Sequence, residues 1–197
     1  MEKVRKKENL SLPRIIDLEK ELSRERRKNN TFALWTKLLL SISVLIVLVV
    51  VVFFSVMPVL RIYGSSMSPT LNNDDMVITA RGSDFKTGDI LAFYYNNKIL
   101  VKRCIACPGD WVDMDNDGNV FVNGERLSET YVMNKEKGDC DLTFPLQIPD
   151  GRYFVLGDNR GISLDSRNRD IGCIADEHIL GKVVFRLLPF GSVGKTK

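Results

Sequence analysis

The chain has 197 residues, 44% of them hydrophobic and 27% charged, enough for one ordinary core plus extra segments and too little for a second full domain. The formal charge of +3 is unevenly spread: residues 1–37 hold 11 Lys/Arg against 6 Asp/Glu, and the remainder holds 17 against 19. No aromatic residue is interleaved with the tail's run of charges and an apolar stretch follows it directly, which argues against a nucleic-acid partner.

In the tail, Ile15, Leu18 and Leu22 recur at helical spacing after Ser11 and Pro13, predicting a short amphipathic helix. From Leu38 to Val56 the sequence LLLSISVLIVLVVVVFFSV carries no charge. Its length as a helix is about 28 Å, close to the hydrocarbon thickness of a bilayer. A buried core helix rarely lacks polar breaks so completely, and a cleavable signal peptide has a shorter apolar region closed by a small-x-small site, whereas this run closes with MPVLRIY. Residues 38–58 are therefore expected to be an uncleaved anchor in the lipid bilayer. Arg24, Arg26, Arg27, Lys28 and Lys37 precede it and only Arg61 lies close behind it, so the positive-inside bias puts residues 1–37 in the cytoplasm and residues 59–197 outside the plasma membrane. Trp35 and Tyr63 flank the span at headgroup positions.

Beyond the anchor the pattern changes to short β-type runs, DILAFYY, KILVKRCIA, NVFVNGERL, GRYFVLGD and GKVVFRLL, with Gly or Asn-Gly between or beside them. There is no internal repeat and no strong amphipathic helix. The expected architecture is a mainly β domain behind one N-terminal transmembrane helix, and parallel α/β folds are disfavoured.

A single histidine, His178, leaves almost no freedom for a Ser-His-Asp system or a histidine-rich metal site. A hydroxyl nucleophile would need another base, and a lysine serves if burial favours its neutral form. The pair Ser83 and Lys86 has S-x-x-K spacing but sits between glycines in what reads as a loop, without the companion S-D-N and K-T-G signatures. The other pair is Ser66 in GSSMSPTL and Lys102 in ILVKRCIACPGD. Ser66 lies in a turn-forming segment, Pro69 keeps Ser68 out of helical geometry so that the hydroxyl is expected exposed on extended backbone, and the apolar residues around Lys102 favour desolvation of its amine. Neutrality near pH 7 needs a downward shift of about three pKa units, roughly 4 kcal/mol of differential solvation.

Three segments, Gly64 to Leu71, Lys102-Arg103 followed by Pro108-Gly109-Asp110, and Gly157-Asp158-Asn159-Arg160 through Asp165-Ser166-Arg167, together resemble bacterial type I signal peptidases in order, in spacing and in the preceding anchor. The resemblance covers residues 38–191. It implies a serine endopeptidase that removes signal peptides from secreted preproteins at A-x-A-like sites, with Ser66 as nucleophile and Lys102 as general base. It further implies that Ser163 hydrogen-bonds and orients the lysine, and that Arg103, Asp158, Asp165 and Arg167 form a charged cluster shaping the site. Gly64 stands where some relatives carry a serine that supports the oxyanion, which leaves the Ser66 N–H as the principal donor among the motif residues. By motif position Ile62, Met67, Leu71, Leu100 and Val101 are expected to wall shallow apolar pockets for the small substrate residues. An extended peptide is expected to pair with backbone near Lys102. The resemblance calls for no cofactor and no metal.

Cys104, Cys107, Cys140 and Cys173, expected outside the cytoplasm, allow two disulfides in three connectivities or free thiols; a four-cysteine zinc site would need a second close pair. Asp113, Asp115, Asp117 and Gly118 imitate the start of a calcium loop, but position twelve is Gly124, so a hairpin turn is expected. Two rival functions remain. A self-cleaving repressor-type Ser-Lys peptidase would be soluble and carry a DNA-binding helix pair. A membrane-anchored assembly protein, non-catalytic or of narrow specificity, would share this fold, but retention of Ser66, Lys102 and Ser163 speaks against decay.

Overall fold

The structure, a computed structural model, describes residues 15–82 and 84–189. The expectations placed on Ser11, Pro13 and Ser83 lie outside the described residues. The chain divides into two compact units, Met1–Val52 and Phe53–Lys197.

Helix α1 runs unbroken over Ile15–Val56, 42 residues or roughly 63 Å. The tail therefore does not form a separate short helix before the span. Between Pro13 and Pro58 the sequence contains neither proline nor glycine, and the charged stretch 19–28 is rich in Glu, Lys and Arg, which favour helix. Pro58 ends it by disfavouring helical geometry at Met57, whose N–H makes the last turn's bond to Phe53 O at 2.9 Å. Among the described residues, α1 is the one helix long and apolar enough to cross a membrane.

The second unit is built from antiparallel strands. They are β1 (Val59–Arg61), β2 (Met76–Ala80), β3 (Ile90–Tyr95), β4 (Lys98–Ala106), β5 (Trp111–Met114), β6 (Val120–Val122), β7 (Glu125–Arg126), β8 (Leu146–Gln147), β9 (Arg152–Leu156), β10 (Ile174–Ala175) and β11 (Ile179–Leu188). Seven form a sheet in the order β1-β2-β11-β3-β4-β9-β10, and four form a smaller one in the order β7-β6-β5-β8. The five β-type runs of the sequence supply β3, β4, β6 with β7, β9 and β11. Two hairpins close on residues with positive φ, Asn96-Asn97 between β3 and β4 and Asn123-Gly124 between β6 and β7, the left-handed pairs that two-residue hairpins require. The acidic run is a hairpin end between β5 and β6, where Asp115 accepts the Asn119 N–H at 2.8 Å.

Three buried clusters hold the sheets. One is centred on Leu91, Phe93, Cys104 and Val155. A second joins the large sheet to the small one through Ile105, Phe154 and Leu156 against Val112, Met114 and Val120. The third, Ile62, Met67, Leu71, Val77, Ile90 and Val183, fixes the segment after β1. His178 lies in a single 3-10 turn leading into β11. Phe154 is fully buried with its ring edge-on to Phe144 at 6.2 Å between centroids. Phe154→Ala is expected to lower the stability of this unit by about 3–5 kcal/mol, read from chemical denaturation; a loss below about 1 kcal/mol would show that the two sheets do not share a core.

Candidate active site

The segment after β1 is pinned at both ends. Ile62 exchanges backbone bonds with Asp75 and Asp74, and the Gly64 N–H donates to Asn73 Oδ1 at 2.8 Å. Gly64 has φ of +88°, a conformation that glycine adopts without penalty. Met67 and Leu71, both buried, close an α-type turn through Leu71 N–H to Met67 O. Between these anchors stands Ser66, only partly covered, with its carbonyl accepting the Asn159 N–H at 3.0 Å. Among the described residues no acceptor takes the Ser66 N–H.

Lys102, on the interior strand β4, is 4% exposed, and its Nζ donates to Ser66 Oγ at 2.7 Å. Burial lowers its pKa to about 8. Asp165 pulls in the opposite direction, Arg167 adds to the lowering, and Asp158 again raises it. The carboxylates do not prevail because each is matched by a guanidinium. Asp158 takes Arg103 in a two-bond fork, Nε to Oδ1 at 2.9 Å and Nη2 to Oδ2 at 2.7 Å, and also accepts the Thr70 hydroxyl. Asp165 takes Arg167 in the same way, at 2.8 and 2.9 Å, and accepts the Gly157 N–H at 2.9 Å. All four charged groups are buried. Such pairs add little net stability, but breaking one leaves an isolated buried charge, so they fix geometry firmly.

Ser163 lies beside the pair but does not bond the lysine here. Its Oγ is buried and has no hydrogen-bond partner among the described residues. Contact is close nevertheless: a Cβ added at Gly157 would meet Ser163 Oγ at 2.1 Å and Ser66 O at 2.6 Å.

A cavity of about 550 Å³ opens at the Ser66 hydroxyl and runs along β4 as far as Asn97. Ile62, Met67, Leu100 and Val101 line it. Leu71 does not: it is fully buried, packed with Val77, Ile90 and Val183, because the turn that exposes Ser66 drives the residue four positions after Met67 inward. The sequence reading missed Leu60, Tyr63 and Ile99 as lining residues. Ile99 and Tyr63 are exposed apolar side chains, which single-sequence reading assigns to strand alternation and to the membrane interface. It also missed Glu129 and Tyr131, and gave Arg160, part of the third motif segment, no role of its own. The Arg103 guanidinium lies 3.9 Å from the Tyr131 ring centroid, and Glu129 forms a buried ion pair with Arg160. All four cysteines are free thiols.

A family model described as signal peptidase, peptidase S26, matches residues 35–188. The chain belongs to the signal peptidase family. Relatives include a signal peptidase I of Bacillus amyloliquefaciens, 41% identical over 68% of this chain and 77% of its own length. Signal peptidase I T of Bacillus subtilis strain 168 is 36% identical over 87% of this chain and 93% of its own, and signal peptidase I P of Bacillus subtilis subsp. natto is 35% identical over 88% and 98%. A crystal structure of a signal peptidase I from Enterococcus faecalis V583 aligns with 50% of this chain and 96% of its own at 32% identity, with a TM-score of 0.43. As a member of the signal peptidase family the protein is a peptidase, and α1 fits a transmembrane anchor for it. Gly157→Ala is expected to abolish peptidase activity, at least about a hundredfold, because the methyl displaces both Ser66 and Ser163. Normal turnover by this variant would show that the close packing at 157 is irrelevant to the site.

Proposed function

We propose that this chain is a membrane-anchored signal peptidase in which Ser66 and Lys102 form a Ser-Lys dyad that removes signal peptides from secreted preproteins by cutting after A-x-A-like sites. The observation that carries the reading is the 2.7 Å contact between Ser66 Oγ and a buried lysine amine whose pKa is lowered to about 8.

With Lys102 neutral, the same contact runs in reverse, the Ser66 O–H donating to the amine's lone pair. As Oγ attacks the scissile carbonyl the proton passes to Nζ, and the ammonium then delivers it to the departing amine. A water enters next. Its proton goes to Nζ as its oxygen attacks the acyl-enzyme, and the proton returns to Ser66 Oγ when the peptide leaves. The Ser66 N–H, with no acceptor among the described residues, is the donor for the tetrahedral oxyanion. Gly64 contributes no side chain, and its N–H is committed to Asn73. In this reading Ser163 orients the lysine, its buried hydroxyl turning to Nζ during turnover, while Arg103, Asp158, Asp165 and Arg167 hold β4 and the loop after β9 together. The cavity along β4 receives the extended signal peptide, with small side chains fitting between Ile62, Met67, Leu100 and Val101. The basic residues before the span place the N-terminus in the cytoplasm and residues 59–197 outside, on the face where preproteins emerge.

Cleavage of a preprotein with an A-x-A site by the detergent-solubilised protein tests the dyad. Ser66→Ala and Lys102→Met are expected to fold and leave it uncut; cutting by properly folded Ser66→Ala would remove Ser66 from the mechanism. Since the base must be unprotonated, kcat/KM should rise with pH and level off above about 8. A profile flat from pH 6 to 9 would contradict a lysine base. Stability follows the same proton. Below about pH 8 the amine is charged in both folded and unfolded chains, and the folded state carries the whole desolvation penalty. Between pH 8 and 10.5 the unfolded chain holds the proton that the folded one has lost, so this group makes stability rise with pH. Lys102→Met should therefore be at least as stable as the wild type at pH 7 in thermal unfolding while inactive.

A further inference from the structure

The turn Gly157–Arg160 packs directly against the backbone of Ser66. The Asn159 N–H holds the Ser66 carbonyl at 3.0 Å, and the Gly157 Cα packs against that same carbonyl. Three sides of this turn are fixed by the charged motif residues already described: Arg103 on Asp158, Asp165 on the Gly157 N–H, and Arg167 donating to Arg160 O at 2.8 Å. The fourth is Arg160, whose Nε donates back to Gly157 O at 3.1 Å. Arg160 is 1% exposed, and its carboxylate partner among the described residues is Glu129, itself 5% exposed. Glu129 comes from outside the motifs, from the irregular segment between β7 and β8 of the small sheet. The Tyr131 hydroxyl donates to Glu129 Oε1 at 3.4 Å while its ring covers Arg103, and Lys135 Nζ stands 3.9 Å from Glu129 Oε2. Farther along the same segment the carbonyls of Glu136 and Lys137 accept from Arg167 Nη1. One stretch of about ten residues thus reaches three of the arginines that frame the site.

We propose that Glu129 is a positioning residue for catalysis: through Arg160 it fixes the Gly157–Arg160 turn, which orients the Ser66 peptide toward Lys102. The proposal rests on the dyad reading. Physically, a carboxylate is needed because Arg160 is buried and always charged. Without Glu129 the guanidinium must seek water or another oxygen, and the Gly157 carbonyl it holds moves with it. A displacement of the Ser66 peptide by a fraction of an ångström degrades both the attack geometry and the aim of its N–H. Lys102 would feel the change as well, since Asp158, carried by the turn, is one of the charges that set its proton affinity.

The test compares full-length wild type, Glu129→Gln and the double variant Glu129→Met/Arg160→Met in detergent. It reads kcat and KM on a preprotein with an A-x-A site, the acid limb of the pH profile, and the thermal midpoint. Glu129→Gln is expected to lose kcat by about tenfold or more at a temperature where it is folded, with KM unchanged and the acid limb displaced. The double variant removes both charges and should recover the wild-type midpoint, because apolar pairs replace buried ion pairs without loss, yet remain slow. Wild-type kcat in a double variant of wild-type midpoint would overturn the proposal. So would a Glu129→Gln protein whose only defect is its midpoint, and that result decides alone if the double variant does not fold. Ser66→Ala runs alongside: cleavage by that variant refutes the dyad itself, whatever the Glu129 variants do.

Discussion

The β-rich unit keeps one amine out of water next to a hydroxyl: Lys102 Nζ lies 2.7 Å from Ser66 Oγ. Lys102 lies on β4, with β3 on one side and β9 on the other, and its neighbours Arg103, Cys104, Ile105 and Ala106 are all buried. A lysine in such a place is destabilised as a cation, and burial lowers its pKa to about 8. The fold must therefore hold it without offering a compensating carboxylate at contact distance. Asp158 and Asp165 come near and raise its proton affinity, yet each is already forked to an arginine, so neither pairs with the amine. The charged cluster is thus a way of bringing loops together around the lysine while cancelling its own field.

Much of this was legible in the sequence, for identifiable reasons. The anchor is readable because nineteen residues without charge have few other uses. The strands β3, β4, β9 and β11 are readable because long apolar runs bounded by Gly, Asn or Asp leave little else to choose. Ser66 and Lys102 stand 36 positions apart, and elimination of histidine chemistry brings them forward as one of two pairs; the motif resemblance gives them their roles.

What was illegible falls into two kinds. Short strands such as β1, β8 and β10, of two or three residues, exist because partners hold them, and no local pattern marks them. Side chains on irregular loops are harder still. Glu129 and Arg160 are 31 residues apart, and Tyr131 finds Arg103 across 28. Nothing in LSETYVMN announces a buried carboxylate, since an acidic residue in a polar stretch is ordinarily solvated. Leu71 lies off the cavity for a related reason: motif position places a residue along the chain, but the turn after Ser66 decides which side of it faces the cavity. The tail helix was mistaken in extent because periodicity marks a face, whereas the absence of Pro and Gly from 14 to 57 sets the length.

Gly157 has a consequence for how such a site can vary. The space that one methyl group would occupy there is already shared by a carbonyl at position 66 and a side chain at position 163. Glycine at 163 would clear the contacts at 2.1 and 2.5 Å but leave the 2.6 Å approach to the Ser66 carbonyl, which no substitution can trim. A side chain at 157 has no compensating partner: positions nearly a hundred residues apart are locked together by backbone rather than by any residue that selection could exchange.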